Sequence, residues 1–319
     1  VYRSSLYRTN MQSLSLGKLS KVGERPFVLS TPRIPDENHL IIDIEFNHPA
    51  VDQLFRMREH PDSEENVLAL AEQLSMAGGF EFSELFTETP PKYQHQAVTE
   101  GVRAQYIGHA GFLVESKDYA ILIDPFIATR DEKNQDEICS FTDLPAKIDF
   151  ILITHNHQDH LSLETLLQLR YKTDKILVPK NNGGTLADPS MRLMLKMLNF
   201  DTYEMDDLDE WTAAQLNITA IPFLGEHGDL HIRSKCGWLL EIEGRRLYFG
   251  ADSSNPDEQL YAHMKELLSH LDLFAIGMEC IGAPYTWLYG ALHTKMVPKI
   301  IRESRRLNGS DFAQAKKMI

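Results

Sequence analysis

Along the chain the spacing of apolar residues changes character near residue 95, helical before it and strand-like after it. After Pro49, the residues Val51, Leu54, Phe55 and Met57 share much of one helical face, which predicts a helix over 51–60. A second helix is expected to open at Asp62, whose side chain can cap the first turn with Glu65 three residues later, as in a capping box. Val67, Leu68, Ala71 and Leu74 supply its apolar stripe, and Gly78-Gly79 is expected to end it. Ahead of these helices, 40–46 alternates enough for one strand, and Pro90-Pro91 marks the break.

Beyond the break, 103–115 and 119–126 read as neighbouring strands joined at Ser116-Lys117-Asp118, and 148–154 as a strand of the buried type. Helices are expected over 161–171, 189–199 and 258–271, and from about 297. In the second of these, Met191, Leu193, Met194 and Met197 are expected to face inward. Strands are expected over 175–179, 216–224 and 273–278, and a hairpin over 236–250 turns at Glu243-Gly244. Strands and helices in alternation predict a layered α/β fold. The expected organisation is a mixed, mainly helical N-terminal domain over 1–95 and an α/β domain over 96–319.

Composition narrows the function classes. At 43% hydrophobic and 24% charged, the 319 residues resemble an ordinary globular protein, which excludes wholesale disorder. A formal charge of -14 argues against a nucleic-acid partner. Cys139, Cys236 and Cys280 are too few and too scattered for a disulfide framework and suit a reducing compartment. With no apolar run near the roughly 20 residues of a membrane span, and no signal-like start, the expectation is a soluble cytoplasmic protein. The ends, Val1 and a helix-like segment stopping at Ile319, suggest a piece of a longer chain.

The chemistry concentrates in residues 151–160, where His155, His157, Asp159 and His160 follow directly on a buried strand. These side chains are good metal donors and poor core filler. In an extended leader, His155 and His157 point the same way and can share one ion; a turn then lets Asp159 and His160 face a second. A polar loop of hydrogen-bonded histidines is the bland alternative, and the density of ligands argues against it.

The His-x-His-x-Asp-His run at 155–160 resembles the signature of the metallo-β-lactamase fold superfamily, and the likeness extends over about 102–299. Tyr106-Ile107-Gly108-His109 is similar to its opening strand motif, and Asp124-Pro125 to its strand-end aspartate. The resemblance implies an αββα sandwich with a dinuclear site. His109 and Asp124 would orient ligands from behind, Asp252 would bridge the two ions, and His293 would be the last histidine ligand.

One position divides two chemistries. Adjacent residues of an extended segment point to opposite faces, so one of Glu226 and His227 reaches the first ion. With His227 the ion has three imidazoles, the set of a hydrolytic zinc. With Glu226 it has two histidines and one carboxylate, the facial triad of oxygen-activating iron(II). The run Gly225-Glu226-His227-Gly228-Asp229 resembles the diiron oxygenase branch represented by the β-hydroxylase of chloramphenicol biosynthesis, whose members act on amino acids tethered to carrier proteins and carry an extra N-terminal domain. That resemblance implies two iron ions, one on His155, His157 and Glu226 and the other on Asp159, His160 and His293. Asp252 would bridge them, and Asp159, Asp252 and Glu226 would carry catalysis.

The expected function is therefore hydroxylation of an amino acid or acyl substrate, free or carrier-bound, by an iron monooxygenase that needs an electron donor. The alternative is a dinuclear zinc hydrolase of phosphodiesters, lactones or amides that uses a bridging hydroxide. A scaffold with a degenerate site is disfavoured, because no expected ligand is missing. Tyr285, Trp287 and Tyr289 could wall a substrate pocket or simply pack, and Arg302, Arg305 and Arg306 could dock an acidic carrier or be a solvated helix face. The N-terminal helices could cover the site, bind a partner or pair two copies in a homodimer.

Overall fold

The structure is a computed structural model that describes residues 2, 4–18, 36–89, 95–129, 138–183, 186–225, 232–255, 258–278, 294–296, 298–299 and 310–319. It divides into two compact units, residues 1–178 with 190–204 and residues 179–189 with 205–319. Among the described residues no helix is long and apolar enough to cross a membrane.

The first unit begins with a small antiparallel sheet of three strands, β1 (Ser13–Gly17), β2 (His39–Asp43) and β3 (Ser75–Gly78), with β2 in the middle. Between β2 and β3 lie helices α1 (Pro49–Arg56) and α2 (Glu64–Glu72). Proline in the first turn, where no amide hydrogen is missed, and the His48 side chain accepting from the Ala50 amide start α1. Its buried face is Ala50, Val51, Leu54 and Phe55.

Several expectations for this region need correction. Ser63, not Asp62, caps α2, its hydroxyl accepting from the Asn66 amide, while Asp62 accepts from the Ser63 amide and the Asn66 side chain. The buried stripe runs through Val67 and Leu70, and Leu68 is exposed. Leu70 lies about 60° from Val67 on one side and Leu68 about 100° from it on the other, so a face centred on Val67, Leu70 and Ala71 leaves Leu68 outside. The helix ends at Glu72, ahead of Gly78-Gly79, because the next residues leave to pair with β2. Gly78 is where this pairing needs glycine, since a Cβ there would lie 2.5 Å from the His39 carbonyl oxygen. The region is thus less helical than its periodicity suggests; β3 contains no β-branched residue to announce it.

The larger sheet of this unit has six strands in sequence order: β4 (Arg103–Gly108), β5 (Gly111–Glu115), β6 (Ala120–Ile123), β7 (Ile148–Leu152), β8 (Thr173–Pro179) and β9 (Thr202–Met205). The first three are antiparallel, and β6, β7 and β8 are parallel. The expected strand 103–115 is in fact a hairpin folded at Gly108-His109, both with positive φ. Helix α3 (Leu163–Leu169) follows β7, and α4 (Met191–Met197) precedes β9, a strand the sequence pattern did not announce. In α4 the residues inside are Met191 and Leu195, one turn apart, while Leu193 is exposed. Apolar side chains from α1, α2 and β2 share one buried cluster with those of β5, β7, α3 and α4. Arg170 ties the same segments through polar contacts, donating to Asp52 Oδ1 at 2.8 Å and to the carbonyls of Phe46 and Leu198 at 2.6 and 2.8 Å.

The second unit holds a five-stranded sheet in the order β10 (Glu210–Ala213), β11 (Leu216–Pro222), β13 (Cys236–Ile242), β14 (Arg245–Phe249) and β16 (Leu273–Ala275). A separate two-stranded ribbon pairs β12 (Leu224–Gly225) with β15 (Ser253–Ser254). Among the described residues, helices α5 (Glu258–Met264) and α6 (Phe312–Lys316) also belong to this unit. The predicted hairpin turns at Glu243-Gly244, both at positive φ as a tight two-residue turn requires. Tyr248, Tyr261, Leu268 and Met318 form the buried centre of this unit. The expected strand 273–278 is shorter, the helix 258–271 stops early, and the helix from 297 lies almost wholly outside the described residues.

Asp206 gathers Lys180 and Arg233 on the surface of the second unit, and its carboxyl is pulled down to about 2, first by the Lys180 hydrogen bond and further by Arg233. A carboxyl lowered on folding stabilises fully above its unfolded value near 3.8 and loses that contribution as pH falls through about 2. Melting temperature followed between pH 4 and 2 should therefore drop less steeply in Asp206→Asn than in the wild type. Equal slopes would mean that the cluster adds nothing to stability.

Candidate metal centre

Because β6 and β7 run parallel and in register, with Ile123 beside Leu152, the residues that leave their C-terminal ends emerge side by side. That edge of a parallel sheet is where open α/β folds build their sites. From β6 emerges Asp124, at φ 39° and fully buried, its amide donating to the Leu152 carbonyl at 2.9 Å. From β7 emerge Thr154 and then His155, both buried. The chain next turns tightly, the amides of His160 and Leu161 returning to the His157 carbonyl at 3.0 and 2.7 Å.

This turn collects the histidines. The rings of His155 and His157 lie 4.7 Å apart and those of His155 and His160 4.1 Å apart. His160 Nδ1 lies 2.8 Å from Asp124 Oδ2, and the ring N–H donates to that carboxylate oxygen. The Thr154 amide donates to Asp124 Oδ1 at 2.8 Å, and its hydroxyl donates to Oδ2 at 2.5 Å. That hydroxyl has one hydrogen and has given it to the carboxylate, so toward His155 Nδ1, 3.0 Å away, it accepts. Both histidines thereby carry the proton on Nδ1 and present the Nε2 lone pair. This is the tautomer of a metal-ligating histidine held by an oxygen partner behind it.

Asp159 and His109 form the outer part of the site. His109 Nε2 is 2.8 Å from Asp159 Oδ2, both side chains are close to half exposed, and the positive φ of His109 at the hairpin tip aims its ring there. Ligand atoms of His109, Asp159 and His160 all lie within 4.8 Å of one another. Imidazole nitrogen with carboxylate oxygen is a donor set that suits iron(II), zinc or manganese, so these residues fit a first-row divalent ion. The resemblance implied His109 and Asp124 as supporting residues, and each touches an expected ligand, Asp159 and His160 respectively. It did not mark Thr154, and a threonine ahead of a histidine run carries no distinctive signal.

Asp252 belongs to the second unit, where it follows β14 through Gly250 and Ala251, the latter at φ 44°. The Gly277 amide donates to the Ala251 carbonyl at 2.6 Å, and a Cβ at 277 would stand 2.9 Å from that oxygen and 3.3 Å from Asp252 Oδ1. Glycine is needed there to leave the carboxylate its place. In the β12–β15 ribbon, Gly225 pairs with Ser253, the residue after Asp252. Glu226, His227, His293, Tyr285, Trp287, Tyr289, Arg302, Arg305 and Arg306 lie outside the described residues.

The chain belongs to the beta-lactamase superfamily, whose domain matches residues 119–283, the span that holds both Asp124 and the 155–160 turn. Residues 1–90 match the diiron non-heme beta-hydroxylase N-terminal domain. Among curated proteins, the chain is 35% identical over 325 residues to the 4-amino-L-phenylalanyl-(CmlP-peptidyl-carrier-protein) 3-hydroxylase of Streptomyces venezuelae, matching all of this chain and 61% of that protein. The crystal structure of CmlA, a diiron beta-hydroxylase from Streptomyces venezuelae, superposes with a TM-score of 0.77 at 34% identity, covering 99% of this chain and 59% of that one. The chain thus spans about three fifths of the length of these relatives. A metal-dependent hydrolase of Carboxydothermus hydrogenoformans is 26% identical over 193 residues, which is 58% of this chain and 74% of that protein. The resemblance carried by residues 155–160 and 225–229 therefore holds, and the fold is α/β of the metallo-β-lactamase type.

Proposed function

We propose that the chain is the N-terminal and metal-binding part of a dinuclear non-haem iron hydroxylase that acts on an amino acid tethered to a carrier protein. One observation carries this reading: the likeness to the 3-hydroxylase runs over the whole chain, N-terminal region included, whereas the hydrolase relative accounts for 58% of it. In this reading residues 1–95 are an appendage that distinguishes hydroxylases from hydrolases built on the same metal domain, and the enzyme works in the cytoplasm, as its few cysteines favour.

His155, His157 and Glu226 would hold one iron, Asp159, His160 and His293 the other, and Asp252 both. When bound, the two ferrous ions supply the activation of dioxygen needed to turn a C–H bond into an alcohol, with electrons from an external donor. The chain's own part is to hold the imidazoles in their Nδ1–H form through Asp124 and Thr154 and to keep Asp159 oriented through His109. Glu226 is favoured over His227 because two histidines with one carboxylate are the set that oxygen-activating iron(II) takes.

Anaerobic purification and metal analysis test the reading. About two irons per chain with the near-ultraviolet absorption of a coupled diferric centre are expected under the assignment of carboxylate-rich ligands to iron. Two zincs in a colourless protein that hydrolyses model esters would overturn it. Glu226→Ala is expected to lower iron occupancy far more than His227→Ala, and the opposite order would move the site to the three-histidine form.

A further inference from the structure

We propose that Thr154 is a positioning residue that sets the ligating nitrogen of His155, and that Asp124 and Thr154 together form one bracket serving both ion subsites. This rests on the reading that His155 and His160 serve different ions. The bracket is wholly inside the protein: Asp124 and Thr154 are each 0% exposed, and His155 and His160 are 4% and 1%. Thr154 grips the carboxylate at two points, amide to Oδ1 and hydroxyl to Oδ2, which fixes the hydroxyl hydrogen on the aspartate side and leaves only lone pairs toward His155. His160 reaches the same Oδ2 directly. One ion's histidine is therefore oriented by the carboxylate itself and the other's through the threonine hydroxyl. The two subsites depend differently on two adjacent groups.

The dependence is asymmetric and so testable. Thr154→Val keeps the side-chain shape and removes only the hydroxyl. His155 then loses its acceptor while His160 keeps Asp124, so one of two metal equivalents should weaken, by roughly 10–100-fold, the usual effect of removing a partner behind a ligand. Thr154→Ser, which keeps the hydroxyl, should restore both equivalents to within a few-fold. The experiment is anaerobic titration of the full chain with ferrous ion against a competing chromophoric chelator, with melting temperature as the check on folding. Two tight equivalents in the wild type, one tight and one weak in Thr154→Val, and two in Thr154→Ser support the proposal. Equal weakening of both equivalents in Thr154→Val, or of neither, overturns it while leaving the dinuclear reading intact. Fewer than two equivalents in the wild type overturns that reading and the proposal with it. Should Thr154→Val fail to fold, nitrogen NMR of the zinc-loaded wild-type chain decides. A slowly exchanging proton on His155 Nδ1 supports the bracket, and metal on that nitrogen overturns it.

Discussion

Replacing Asp124 by alanine is expected to lower the stability of the chain by about 3–5 kcal/mol, the range found when one partner of a buried charged network is removed. It is also expected to abolish tight binding of both ions. Three donors converge on this fully buried carboxylate: the Thr154 amide, the Thr154 hydroxyl and His160 Nδ1. Each would lose its acceptor where water does not reach, at roughly 1–3 kcal/mol apiece. Alanine would also have to adopt φ 39°, which aspartate and asparagine tolerate better. Asp124→Asn separates the two effects. It keeps the backbone and one acceptor but turns an amide donor toward a donor, so the loss in denaturant midpoint should be smaller while metal affinity still falls by at least 10–100-fold. Urea unfolding and chelator competition on the same samples measure both. An Asp124→Ala chain that keeps its midpoint and binds two ions would show that the aspartate is not what braces the histidine turn.

The second large effect is expected at the ion pair of Lys172 and Glu59. Lys172 Nζ donates to Glu59 Oε1 at 2.6 Å, and both side chains are almost completely buried. Burial pulls the lysine pKa below its usual range, and the hydrogen bond and charge of Glu59 offset this only in part. Removing one partner alone, as in Glu59→Leu or Lys172→Met, strands a charge and should cost about 3–5 kcal/mol. Replacing both by apolar residues of similar size should return the chain to within about 1 kcal/mol of the wild type or above it, because no charge then has to be buried. Urea midpoints of the two single variants and the double variant complete the cycle. Additive losses in the double variant would mean that the residues contribute independently, through packing. The pair joins the chain after α1 to the turn after α3, so the cycle also reports how strongly residues before 95 are built into the first unit.

Much of the site was legible because its chemistry is local. His155, His157, Asp159 and His160 lie within six positions, and a strand followed by a turn is enough to gather them. Asp124 was singled out by its likeness to the superfamily's strand-end aspartate. Thr154 could not be, since its role comes from one hydrogen being committed to Asp124, a partner 30 positions away. His109 was singled out by the resemblance, but the turn that places it was not expected, because positive φ at a histidine leaves no mark in the pattern of apolar residues.

The elements divide in the same way. The buried strands β7 and β11 and the hairpin at Glu243-Gly244 followed from hydrophobic runs and turn chemistry, which act over a few residues. The strand β3, the cap of α2 and the burial of Leu70 in place of Leu68 did not, because pairing with β2 and packing of one helix face against the shared cluster decided them. By itself, the sequence determined which residues could donate to a metal, and that they stand at the end of a buried strand. Only the tertiary structure decided which nitrogen of each histidine is left to donate. A tautomer is chosen by the atom behind the ring, and that atom is brought there by the parallel pairing of β6 with β7.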